Sequence, residues 1–318
     1  MKPATLKWNI SAMISTLIPL FRVIIVTTFF QISIVFPVIS QEKPLFTFGL
    51  MTDVQYADRD NSGSRYYRMS PAKLDKAVQV FNREMVSFVI HMGDFINDNL
   101  KSFDTLFTIT NKLEMPLHLI PGNHEFAVNP GEKEKVLPRM GLRRGYSSFN
   151  REGWRFILVD GTETGLIRFE KGSPEYEKYL LQMEKLKAGG AVNAFEWNGG
   201  ISVKQYKWIE KNLKKADKKR ERVILFCHYP LTPAKASENL LDAPSVKSLI
   251  EKYPGVLAWF NGHVHVSRLE EENGVSYVSF RGMVEKDANA FCLVSVFHDH
   301  LEVKGYGEEV SRKLKDTY

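Results

Sequence analysis

The chain has 318 residues, 44% of them hydrophobic and 25% charged, the composition of an ordinary globular protein with material for a sizeable core. Its formal charge is +6, but Lys2, Lys7 and Arg22 precede the first acid, Glu42, which leaves 40 of the 43 basic residues against 37 acidic ones. That balance excludes a nucleic-acid surface built on bulk charge, and two cysteines exclude a disulfide framework.

The first 40 residues depart from this composition. VIIVTTFFQISIVFPVIS (23–40) follows Arg22 without a charged residue and ends in small residues at Val38 and Ser40, just before QEK. A basic region, an apolar stretch and small residues form the pattern of an export signal cleaved after Ser40. The rival reading is an uncleaved membrane anchor, because residues 23–39 approach the shortest length that spans a bilayer. Either reading places the body, residues 41–318, outside the cytoplasm: periplasmic, secreted or membrane-anchored.

From residue 44 apolar runs alternate with polar helical stretches. LFTFGLMTD (45–53) reads as a buried strand that ends on a carboxylate. SPAKLDKAVQVFNRE (70–84) reads as a helix, with Ser70 as cap, Pro71 in the first turn and Leu74, Ala77, Val78 and Phe81 as its apolar face. Strands are expected over 87–94, 116–125 and 155–161, with a helix over 103–113 between the first two. Residues 161–201 carry mixed signals and are expected to cover one end of the domain. Ser202 and Gln205 have capping-box spacing at the start of a helix over 202–216. KKADKKRER (214–222) then reads as a solvated helix end. A strand over 222–230, a helix over 245–253, a strand and turn over 256–265 and closing antiparallel strands over 275–282 and 289–306 complete the chain. This order predicts one α/β domain with mixed sheets. Cys227 and Cys292, each in an apolar run, are expected to be buried free thiols.

Side chains able to ligate metal recur at one place in each unit, the carboxyl end of a strand: Asp53, Asp94, Asn123 with His124, His228, and His263 with His265. Ligands of open α/β sheets bind in the crevice at that end. Gly93, Gly122 and Gly262 each precede one of these residues, where the backbone is expected to turn sharply. Carboxylates, an amide oxygen and imidazoles suit Mn, Fe or Zn, and there are enough for two ions sharing a carboxylate. Two such ions form a clamp for in-line phosphoryl displacement.

The blocks TDVQ, GDFIND, GNHE, CHYP and GHVH, in this order, resemble the calcineurin-like metallophosphoesterases over about residues 45–306. The resemblance implies a four-layer α/β/β/α sandwich of two mixed sheets and a dinuclear, metal-dependent phosphohydrolase. It implies that Asp53 and His265 hold one metal, that Asp94 bridges both, and that Asn123, His228 and His263 hold the second. It makes His124 the general acid, Glu125 the residue that orients His124, and Asn97 a structural neighbour. Gln55 stands where the family usually has histidine. Asp-x-Gln, together with RYYRMSPAKLDKAVQVFN (65–82) and WNGGISVKQYKWIEKNL (197–213), resembles the Mn-dependent ADP-ribose/CDP-alcohol diphosphatases within that family. This implies Gln55 as a ligand or near-ligand of a manganese-like ion, the rival reading being a degraded first site, and a small-molecule nucleoside-diphosphate substrate cleaved with a metal-activated hydroxide as nucleophile. A phosphomonoesterase or phosphodiesterase with the same metals is the alternative, and a non-enzymatic metal-bearing domain is the third class.

Arg65, Tyr67 and Arg68 are candidate substrate residues: an arginine can pair with a second phosphate and a tyrosine can stack on a base or ribose. The competing reading is surface packing and pairing. His91 and His118 read as satisfied core histidines or as residues that stand behind the metal ligands, and His298 and His300 as surface residues of a hairpin turn. No nucleic-acid partner is expected, and membrane attachment rests on the N-terminal segment alone.

Overall fold

The computed structural model describes residues 42–315. The N-terminal segment, with its signal or anchor reading, lies outside the described residues. Among the described residues no helix is long and apolar enough to cross a membrane.

Two six-stranded mixed sheets form the centre. In the first, β1 (Phe46–Met51) lies between β10 (Ala290–Val296) and β2 (Val89–His91), with β3 (Leu117–Leu119) beyond β2. β11 (His300–Gly307) and β12 (Arg312–Lys315) extend the other edge. β1, β2 and β3 run parallel, and β10 to β12 are antiparallel additions. The second sheet has the order β4 (Ser147–Arg151), β5 (Trp154–Leu158), β6 (Arg222–Cys227), β7 (Val256–Asn261), β9 (Val275–Ser279), β8 (Arg268–Glu272). Strands β5, β6, β7 and β9 are parallel, and the hairpins β4–β5 and β8–β9 close the edges.

Alternation along the strands decides the layers, because successive side chains point to opposite faces. In β1 and β10, Phe48, Leu50, Cys292 and Val294 meet Phe156 of β5 and Ile224 and Phe226 of β6 in one buried cluster between the sheets. The opposite face of the first sheet, with Leu293 and Phe291, packs on Leu74, Ala77, Val78 and Phe81 of α1 (Ser70–Arg83) and on Phe103 and Leu106 of α2 (Ser102–Thr110). The outer face of the second sheet, with Val223, Leu225 and Cys227, packs on Ile209 and Leu213 of α5 (Val203–Lys219). It also meets Val246 and Leu249 of α6 (Ala243–Ile250). The result is the expected α/β/β/α sandwich. A short helix, α3 (Val136–Arg139), and α4 (Pro174–Ala188) decorate it.

Several local expectations change. Ser70 does not cap α1: Met69 occupies the cap position, and the Ser70 hydroxyl is buried inside the helix without a partner. Ser202 does cap α5, accepting from the Gln205 amide at 3.1 Å. The Gln205 side chain, however, turns to Asp160 and Glu163 rather than back to the cap. The mixed stretch 161–201 contains α4, announced by Ser173 at its cap and Pro174 in its first turn. The strand expected at 275–282 is antiparallel to β8 but parallel to β7. His300 is no surface residue: it is buried and stacks on Phe297 at 4.3 Å, while His298 is exposed. His118 stacks on Phe149, and His91 is fully buried with both ring nitrogens unpartnered, so it is a core histidine but not a satisfied one. Both cysteines are buried free thiols.

Candidate metal centre

The loops that leave β1, β2, β3, β6 and β7 converge at one end of the sandwich. Asp53, Gln55, Asp94, His263 and His265 all sit in left-handed backbone, with φ between 42° and 69°. Non-glycine residues avoid this region, and its cost is of order 1–3 kcal/mol each where the surroundings enforce it. Five of the seven candidate ligands share this strain, which marks the end of the sheets as a place where side-chain direction overrides backbone comfort. The glycines before them serve two purposes. Gly93 has a positive φ of 91°. Gly122 and Gly262 do not, and are glycine for space: a Cβ there would press on the carboxylates of Asp94 and Asp53 respectively.

The side chains form two sets joined at Asp94. In one, His265 Nε2 lies 3.1 Å from Asp53 Oδ1 and 3.0 Å from the Gln55 amide nitrogen, which in turn donates to Asp94 Oδ2 at 3.1 Å. In the other, His228 Nε2 lies 3.1 Å from Asn123 Oδ1, 3.2 Å from Asp94 Oδ2 and 3.2 Å from His263 Nδ1. Asp94, His228 and His263 present ligand atoms within 4.8 Å of one another. Every residue expected to bind metal is therefore at the centre.

The donor set fits divalent cations. Three lone-pair atoms face His228 Nε2, and one proton can serve only one of them at a time. The outer nitrogen of each key imidazole has an oxygen acceptor: Met92 O at 2.9 Å for His228 Nδ1, and Glu285 Oε1 at 2.6 Å for His265 Nδ1. Each Nδ1–H of His228 and His265 donates outward, so the neutral form of either ring carries its lone pair on the inward Nε2, the arrangement of metal-bound histidine. Buried Gln55 Oε1 and His263 Nε2 have no hydrogen-bond partner. The amide orientation of Gln55 is set by its hydrogen bonds, so its oxygen can face Asp94 and His265 when a cation stands there.

Electrostatics point the same way. Burial pushes the Asp53 and Asp94 carboxyls up, but the imidazoles beside them, His265 for Asp53 and His228 for Asp94, override it and hold both below the usual carboxylate range, Asp94 well below. Burial would lower His228 and His265, yet Asp94 and Asp53 raise them to about 9. His263, under burial and the adjacent His228, falls to about 3. Two buried carboxylates thus draw positive charge into the interior. Divalent cations meet that demand and leave the imidazoles neutral.

His124 stands at the mouth. Its Nδ1 donates to the Asn97 carbonyl at 3.2 Å, its Nε2 lies 3.9 Å from Asp94 Oδ2, and its side chain keeps 20% exposure. Glu125 does not orient His124. Its buried carboxylate accepts the backbone N–H groups of Gly122, Asp94 and Phe95, and so fixes the loops rather than the imidazole. Burial and the nearby Asp94 push that carboxyl up to about 7.

A cleft of about 620 Å³ opens over these residues, lined also by Ser64, Arg65, Trp197, Glu238, Val264, Val266, Arg268 and Glu285. Arg65 is where it was expected. Tyr67 and Arg68 are not: Tyr67 is buried against Ala57 and Val284, and the exposed Arg68 guanidinium is held by Asp58 and Asp60. Sequence reasoning missed Glu285 and Trp197. Glu285 lies on an irregular loop with no motif, while Trp197 lies inside the stretch that resembled the diphosphatases. A larger cavity of about 890 Å³, lined in part by Lys133, Arg143 and Arg168, shares no residue with the cleft.

Comparison with known proteins agrees with this geometry. The family model of the calcineurin-like phosphoesterases matches residues 46–267. A Xenopus tropicalis protein named manganese-dependent ADP-ribose/CDP-alcohol diphosphatase is 30% identical, over 86% of this chain and 95% of its own length. A Homo sapiens protein of the same name is 27% identical, over 84% and 92%. A dimetal phosphatase crystal structure from Danio rerio superposes with a TM-score of 0.77 at 25% identity, covering 86% of this chain and all of its own.

Asp94 supplies the oxygen common to both sets. After dialysis against Mn²⁺, metal analysis should find two ions per wild-type chain and fewer than one per Asp94→Ala chain. Two ions retained by the variant would refute the shared-carboxylate arrangement.

Proposed function

The chain belongs to the calcineurin-like phosphoesterase family, and we propose that it hydrolyses the diphosphate link of nucleoside-diphosphate-linked substrates such as ADP-ribose and CDP-alcohols. It is a metal-dependent phosphohydrolase of small molecules, and its relatives are named for manganese. The observation that carries the substrate reading is the cleft itself, which sets arginines and an exposed aromatic plane beside the metal ligands.

In this reading Asp53, Gln55, Asp94 and His265 hold one ion, and Asp94, Asn123, His228 and His263 the other. When bound, the ions lower the pKa of the attacking water and neutralise charge on the phosphate oxygens. The protein's own groups do the rest. Arg65 faces the cleft near His124 and His265, acting against protonation of both, and can bind the second phosphate by charge-assisted hydrogen bonds. His124 keeps its Nδ1–H on the Asn97 carbonyl, so Nε2 is the atom that delivers a proton to the departing phosphate oxygen as the phosphorus–oxygen bond breaks. Trp197 is 45% exposed, stacks on Phe195 at 4.4 Å, and is anchored by its carbonyl to the Tyr229 hydroxyl at 2.9 Å. Tyr229 follows the ligand His228, so the indole plane is tied to the metal centre and suits a nucleobase.

For the N-terminal segment we propose export, on the run of uncharged residues after Arg22.

With Mn²⁺, ADP-ribose and CDP-choline should turn over faster than p-nitrophenyl phosphate or cyclic nucleotides. Trp197→Ala should raise KM for the nucleotides by about 1–3 kcal/mol of lost stacking and leave p-nitrophenyl phosphate unchanged. Turnover of only the latter two classes would make the chain a phosphomonoesterase or phosphodiesterase. His124→Ala should lower kcat roughly 10²–10⁴-fold at unchanged manganese content, and a variant with full kcat would remove it as general acid. Chain recovered from the extracytoplasmic fraction should begin at Gln41 by mass spectrometry or remain membrane-bound; chain found only in the cytosol would refute export.

A further inference from the structure

Lys73, at the end of the first turn of α1, is 4% exposed and has no part in the chemistry derived above. Its ammonium donates to three backbone carbonyls: Met283 at 2.7 Å, Glu285 at 3.0 Å and Lys286 at 2.6 Å. Lysine has three N–H donors and no acceptor, so each donor has one oxygen. No carboxylate lies within ion-pair distance among the described residues. A buried ammonium is costly unless fully hydrogen-bonded, and burial lowers Lys73 to about 8. Such a group is an expensive way to fill space inside a helix–sheet layer.

What it holds is the segment 283–286, which is irregular. Lys286 has a left-handed φ of 45°. The amides of Met283 and Val284 donate to the carbonyls of Thr52 and Asp53, and the Lys286 amide to Ser64. The segment therefore lies across the first ligand loop. Its Glu285 carboxylate meets His265 Nδ1 at 2.6 Å, the bond that leaves Nε2 facing Asp53 and Gln55. Three carbonyls turned to one side of the segment repel one another unless a cation gathers them. The Lys73 ammonium does so, and with those carbonyls drawn inward the Glu285 side chain projects toward His265.

We infer that Lys73 is a positioning residue for the metal centre, acting through the 283–286 segment to hold Glu285 on His265 and thereby to tune the ion held with Asp53 and Gln55. The inference rests on the metal roles proposed above. Its mark is selective: one ion is weakened and the other, held with Asn123, His228 and His263, is not. Loss of an outer partner of a metal-bound histidine costs roughly 10–100-fold in affinity.

Mn²⁺ titration by calorimetry and by the electron paramagnetic resonance of free Mn²⁺ tests this on the wild type, Lys73→Met, Lys73→Arg, Glu285→Gln and the double variant Lys73→Met/Glu285→Gln. Lys73→Met and Glu285→Gln should each weaken one of two ions about tenfold or more, and the double variant should be no weaker than Glu285→Gln alone, because both changes act on one path. kcat of the Lys73 variants at saturating Mn²⁺ should recover to within a few-fold of wild type. Lys73→Arg, which keeps charge and donors, should fall between and serves in place of Lys73→Met if that chain does not fold. Lys73 variants that melt earlier but bind both ions as wild type would make Lys73 a merely structural clamp. Additive losses in the double variant would also overturn the inference. A wild type that takes up no Mn²⁺ would instead overturn the metal reading, and this one with it.

Discussion

Two carboxylates buried side by side govern this structure. Asp53 and Asp94 are 0% and 1% exposed, and like charges in a low-dielectric interior repel strongly unless positive charge joins them. Four imidazoles, His228, His263, His265 and His124, stand around them, and the protein raises two of these to about 9 against the pull of burial. Everything else at this end of the sandwich reads as a means of keeping that charged group in place. Left-handed turns aim the side chains, glycines admit the carboxylates, and Glu125 gathers the Gly122, Asp94 and Phe95 amides into one fixed corner.

The rigidity comes from the sandwich. β1, β2 and β3 belong to one sheet and β6 and β7 to the other, so each ligand set draws on both sheets and is assembled across the inter-sheet core of Phe48, Phe88, Phe156, Phe226 and Phe260. Interiors packed like crystals do not slide. A shift of one sheet over the other would separate His228 and His263 from Asp94. The apolar aromatic layer thus sets a distance between polar groups that touch none of it.

The strand-end ligands were legible because the fold repeats one event, a buried apolar run that ends in a turn with a polar side chain, and such runs announce themselves in sequence. The four layers came from the family resemblance, and alternation along the strands of the structure accounts for them. Less visible were contacts whose chemistry depends on tertiary placement. Ser70 looks like a cap, but the chain enters α1 through a 3-10 turn that supplies the cap position at Met69. Arg65 and Arg68 are chemically identical in sequence; one faces the cleft and the other meets Asp58 and Asp60, a difference that local spacing does not encode. Glu285 could not be found from its neighbours at all, since its role arises from β9, α1 and the first ligand loop meeting at one place. Glu125 was found but misassigned, because an acid next to a histidine suggests a side-chain partner while its actual partners are backbone amides.

In the proposed assignment Gln55 gives the two ligand sets different chemical characters. With its amide oxygen, the set of Asp53, Gln55, Asp94 and His265 offers three oxygen ligands to one nitrogen, whereas Asp94, Asn123, His228 and His263 offer two of each. Oxygen-rich sites favour harder ions such as manganese, and added imidazoles favour zinc, copper or iron. A histidine at position 55 would make the first set as nitrogen-rich as the second. In the proposed assignment the glutamine keeps that position harder and neutral, and the ion would supply the positive charge that Asp53 and Asp94 otherwise draw from His265 and His228. The partner that His265 finds in Glu285 compensates in part, since a carboxylate on the outer nitrogen makes the one remaining imidazole a stronger donor. Substituting one side chain therefore moves the demands on the whole first set outward, to the segment that carries Glu285.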